Sequence, residues 1–155
     1  MSKTLDEVQS HDLAKAANCR AKAPFDNAYA AIVQVADAVY VQGFLAVPGE
    51  PNRPIEHAWL EVDDTIIDPT FPWLNKKAEN LHYFPAQTLT LKQLKSTIEE
   101  AQEDYPEDDP LPIYGSQPYD YYGDVMLGGA EYTAAFAAAQ AKCRELNAVK
   151  PKPKP

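Results

Sequence analysis

A chain of 155 residues with 45% hydrophobic content can bury one sizeable core, and a single domain over 1–149 is expected. A formal charge of −9 excludes a broad phosphate-binding surface, because nucleic-acid binding needs clustered Lys and Arg to displace counterions. No apolar run approaches the roughly 20 residues needed to cross a bilayer, and the opening MSKTLDEVQSHDL carries no apolar signal core, so a cytoplasmic chain without a membrane partner is expected.

In chain order, the Ala-, Lys- and acid-rich stretch from Thr4 to Ala23 places Leu5, Val8, Leu13 and Ala16 at helical intervals and predicts a first helix. After Pro24, Asp26 or Asn27 is a candidate cap for a second helix running to Val39, with Ala28, Ala31, Ile32, Val35 and Ala36 on one face. VYVQGFLAV, Val39 to Val47, then reads as a strand ended by the turn-forming PGEPNRP. Gly43 inside it signals a bulge or the close approach of another backbone.

IEHAWLEVDDTIIDPTF, Ile55 to Phe71, reads as a hairpin. Ala58, Leu60 and Val62 alternate with His57, Trp59 and Glu61, and Asp63-Asp64 forms the turn to Thr65–Asp68. A loop of two or four residues sets Trp59 opposite Asp68, so His57 lies diagonal to Asp68 on the same face, within side-chain reach. A loop of three would put them on opposite faces.

Beyond Pro69 the aromatic and turn residues FPWLNKKAENLHYFPAQT precede an amphipathic helix over Leu89–Gln102, built on Leu91, Leu94 and Ile98. The acidic run Glu99–Asp109 reads as a solvated face. The segment 106–129, rich in Tyr, Pro and Gly, predicts a wrap or lid in which Tyr114, Tyr119, Tyr121 and Tyr122 either line a surface or pack on the sheet. An Ala-rich helix over Ala130–Ala148 follows, and the Lys/Pro tail 150–155 is too polar to fold.

Cys19 and Cys143 lie far apart without metal-ligand spacing, so neither a disulfide framework nor a zinc site is expected, and no motif calls for a cofactor. A metal held by His57, Asp68 and Glu56 or Glu61 ranks lowest. His11 and His82 read as surface or packing residues, and Cys143 as structural. Taken alone, Cys19 is a small hydrophobe, His57 a structural histidine, and Asp68 before Pro69 a turn initiator. Together they are the three groups that thiol catalysis needs: a nucleophile, a base and an orienting carboxylate.

Cys19 before a helix, the strand YVQGF, HAWLEV and IIDPT together resemble the papain-like and transglutaminase-like cysteine enzymes, in particular small bacterial and phage members with HAW…DPT; YFPAQTLTLKQL is similar to the segment that follows the triad there. The resemblance spans roughly Asn18 to Leu94. It implies an α+β fold in which an antiparallel β-sheet is packed by an N-terminal helix, with flanking helices, and a Cys19, His57 and Asp68 triad. It further implies Asn18 as an oxyanion donor, Trp59 packed beside the site, and a peptide, protein or small amide as substrate. One departure stands out: Pro24 occupies the place, just before Phe25 and the Asn27-Ala28 pair, where the relatives carry their cysteine. The alternative is a catalytically inactive member of the fold that binds or inhibits a protein partner.

Overall fold

The described residues of the computed structural model are 3–49, 52–113, 119–122 and 125–148. They form β1 (Thr4–Leu5), α1 (Glu7–Ala16), α2 (Pro24–Ile32), β2 (Val39–Ala46), β3 (Ile55–Val62), β4 (Thr65–Ile67), β5 (His82–Thr90), α3 (Leu91–Asp104), β6 (Tyr119–Tyr122), β7 (Val125–Gly128) and α4 (Gly129–Leu146). Short 3-10 turns lie at Phe71–Trp73 and Ala78–Asn80. The class is α+β. Tyr114 and the tail 150–155 lie outside the described residues.

The stretch expected as one helix from Thr4 to Ala23 is divided by its polar residues. Thr4 and Leu5 pair with Thr65 and Ile66 in parallel, so the sheet is mixed rather than wholly antiparallel. Asp6 then caps α1, its carboxylate accepting the Gln9 N–H at 2.9 Å. Asn18, at φ 53°, turns the chain out of the helix just past its end. In α2, Pro24 takes the first turn, where its missing N–H costs nothing. Asp26 and Asn27 therefore lie inside the helix instead of capping it. α2 ends at Ile32, short of the expected Val39, and Asp37 at φ 60° redirects the chain into β2.

The five strands run in the order β1-β4-β3-β2-β5, with β6 and β7 as a separate hairpin. β5 was not expected, because the run HYFPAQTLT shows little alternation and contains Pro85. The strand tolerates Pro85 because the register against β2 shifts between Gln42 and Gly43, which brings Gly43 opposite Pro85. A Cβ on Gly43 would stand 2.1 Å from the Phe84 carbonyl oxygen, so this close approach requires glycine. α3 begins two residues later than expected, with Thr90 and Gln93 forming a reciprocal cap. Within the segment read as a wrap or lid, the described residues form the β6–β7 hairpin, and Tyr119 and Tyr121 are exposed.

One sheet face carries the main apolar core: Ala28, Ala31 and Ile32 of α2 and Leu94 and Ile98 of α3 cluster with Tyr40, Ala58, Leu60 and Ile67. α4 extends that layer with Tyr132, Ala135, Phe136 and Ala139 around Phe44. Odd-numbered residues of β3 face the other way. There Val41, Trp59 and Ile66 pack with Leu5 and Tyr83, and the segment 71–81 closes over Val47 through Phe71 and Leu81.

Candidate functional site

The hairpin register fixes the first element of the site. Val62 pairs with Thr65 and Leu60 with Ile67, leaving Asp63 and Asp64 as a two-residue turn, with Asp63 at φ 53°. The register continued by one step sets Asp68 against Trp59, and His57 lies diagonal to it. His57 Nε2 stands 2.7 Å from Asp68 Oδ2, with His57 2% exposed and Asp68 fully buried.

Asp68 is held from several sides. Tyr83 donates its hydroxyl hydrogen to Oδ2 at 2.7 Å, and the Thr70 N–H donates to Oδ1 at 2.9 Å. The Asp68 N–H donates to Ser10 Oγ at 2.9 Å, and Ser10 donates in turn to the Asp6 carbonyl. An acceptor this well supplied takes the Nε2 hydrogen and sets the tautomer of the ring. The lone pair is then on Nδ1, which makes no hydrogen bond to a described residue. Burial, together with the Asp68 charge, pushes the Tyr83 hydroxyl well above its ordinary pKa, so it remains a donor.

Trp59 is fully buried, its ring stacked beside His57 at a centroid distance of 6.1 Å. Its indole N–H donates to Glu61 Oε2 at 2.9 Å, which leaves no donor to offer an oxyanion; Trp59 packs behind the pair rather than lining it. Asn18 is exposed beside Cys19 and serves as the left-handed exit from α1.

Cys19 is placed differently. It follows the carboxyl end of α1, not the amino end of a helix, so it lacks the N–H groups that would favour a thiolate. Its Sγ hydrogen-bonds the Asn27 carbonyl at 3.8 Å, and among the described residues it makes no hydrogen bond to His57. Partial burial, then the Asp68 charge, push its pKa above the ordinary thiol value. The route from Cys19 to the pair runs through Asn27, whose Nδ2 donates to Thr70 Oγ1 at 2.9 Å, and through Thr70 to Asp68. The thiol lines a cleft of about 470 Å3 with His11, Asp12, Lys15, Pro72 and Trp73. His11 packs edge-on to Phe71 there, at 5.5 Å between centroids.

The chain thus brings His57 and Asp68 into contact and holds Cys19 nearby without joining them. Sequence reasoning missed Tyr83, Thr70, Asn27 and Ser10. The threonine of DPT and the asparagine of the NA pair stood in the quoted motifs, but Tyr83 required the unseen strand β5. Among the described residues no group of three His, Cys, Asp or Glu side chains could hold a metal ion, and no helix is long and apolar enough to cross a membrane. Comparison with protein-family models, with curated proteins and with solved structures finds no match.

Proposed function

We propose that the chain is a cysteine-dependent acyl-transfer enzyme with a transglutaminase/papain-like core, acting on a peptide, protein or small amide. The observation that carries this reading is the buried His57–Asp68 pair, in which Nδ1 is committed to no described residue. A lone pair backed by an oriented imidazole and a fixed carboxylate is the equipment of a general base. Nδ1 takes the Cys19 thiol proton, the sulfur attacks the carbonyl carbon, and the C=O electron pair moves onto oxygen. Collapse re-forms the carbonyl and expels the amine, which leaves with the proton from the imidazolium; the thioester then passes its acyl group to water or to a second amine. Asp68 holds the imidazolium throughout. For this to occur Cys19, in the loop between α1 and α2, must leave the Asn27 carbonyl and swing towards His57.

A second reading, a non-catalytic binding module, is favoured by the same thiol: it is bonded to Asn27, held above its ordinary pKa, and Pro24 starts α2. Labelling by an amide-mimicking electrophile separates the two. The enzyme reading expects Cys19 to react near neutral pH far faster than Cys143, and His57→Gln to abolish the difference. Labelling of Cys19 that is unchanged by His57→Gln makes the chain a module.

A further inference from the structure

Glu61 lies on the same sheet face as His57 and is 6% exposed. A carboxylate so deeply buried is costly to leave unpaired, and a cation at the position offsets that cost. Oε2 already accepts the Trp59 indole N–H at 2.9 Å, and Oε1 receives the Lys3 ammonium. Lys3 is otherwise lightly held: its side chain is 41% exposed, and it immediately precedes the two-residue β1. The pair opens onto a cleft of about 380 Å3, whose walls include Ile66, Tyr83, Phe84 and Pro85.

We propose that this cleft is a binding site for a primary alkylammonium, either the side chain of a lysine or a small alkyl amine, and that Lys3 fills it from within the chain. The donor arithmetic selects the ligand. With one carboxylate oxygen committed to Trp59, a single oxygen faces the cleft, which matches one ammonium donor; the parallel fork of a guanidinium needs both. Ile66 and Pro85 supply apolar surface for the methylene stem. The site is independent of whether Cys19 acts, because neither Glu61 nor Lys3 touches the thiol or His57.

Because Lys3 is covalently tethered, it competes at an effective concentration of order millimolar, so an external amine meets a filled site. Lys3→Ala empties it. The test is thermal unfolding of Lys3→Ala in butylammonium chloride against sodium chloride of equal ionic strength, with Nα-acetyl-lysine amide as a second ligand. Tm should rise with butylammonium concentration, with apparent affinity ~100-fold above that of the native chain. Lys3→Ala/Glu61→Gln should not respond. A matching rise with Nα-acetyl-lysine amide names a lysine side chain as ligand, whereas a rise confined to butylammonium names small amines. Should Lys3→Ala not fold, the Trp59 indole N–H resonance of the native chain, assigned with Trp73→Phe, must shift on butylammonium saturation and stay fixed in Glu61→Gln. No butylammonium-specific response, or an equal response without Glu61, overturns the site.

Discussion

Alternate residues of β3 face two surroundings held by different physics. Ala58 and Leu60 are buried against α2 and its neighbours, where stability comes from apolar area removed from water and scales with each methyl group. His57, Trp59 and Glu61 are almost as deeply buried, but there His57 Nε2, the Trp59 indole N–H and both Glu61 oxygens are each held by a named partner. The apolar face tolerates graded change. The polar face does not, because removing one partner strands the others.

The sharpest way to test that contrast is to delete one residue from each face. Asp68→Ala strands His57, Tyr83 and the Thr70 N–H together, and should lower stability by about 3–5 kcal/mol in urea unfolding, at least as much as Leu60→Ala, expected at ~2–5 kcal/mol. A cost for Asp68→Ala below ~1 kcal/mol would mean that the polar face is merely solvated, since surface substitutions cost that little. Gly43→Ala follows, at roughly 1–3 kcal/mol or more, since the new methyl meets backbone that cannot swing aside.

Tyr83→Phe should cost about 1–2 kcal/mol near neutral pH, because Asp68 keeps its other donors. It should also reshape the alkaline limb of stability. The folded pKa of Tyr83 is raised above the unfolded value, so its contribution is complete below that unfolded value and is lost as pH climbs towards the folded one. Urea midpoints across alkaline pH should therefore fall less steeply in Tyr83→Phe than in the native chain.

The smallest expected effect is at the thiol. Cys19→Ser should change stability by no more than ~0.5–1 kcal/mol, since among the described residues Sγ makes one long hydrogen bond. While its thiol rests on the Asn27 carbonyl with its pKa raised, as the binding-module reading has it, Cys19 should be alkylated by iodoacetamide with a midpoint at higher pH than an unstructured cysteine. A midpoint below that of free cysteine would mean that the loop between α1 and α2 delivers the thiol to His57 in solution.

The reach of sequence reasoning follows the range of the forces involved. The His57–Asp68 contact was legible because it is local: a period of two and a two-residue turn determine which side chains share a face. Gly43 was legible because only a missing side chain permits so close a backbone. Tyr83 was not, because it reaches Asp68 only through β5, and the pattern of that strand is broken by Pro85. The position of Cys19 was not legible either. It depends on where α1 stops, and Asn18 decides that by adopting a left-handed conformation that many residues could have declined.

Pro85 has a consequence beyond the strand it interrupts. β5 and β1 are the outer members of the five-stranded sheet, the places where a stray chain could add itself by backbone pairing. One of them offers two residues, and the other has a step in its register and a residue with no N–H to give. Neither border presents an uninterrupted ladder, so the geometry that seats Pro85 opposite Gly43 also protects the sheet against templated, fibril-like growth.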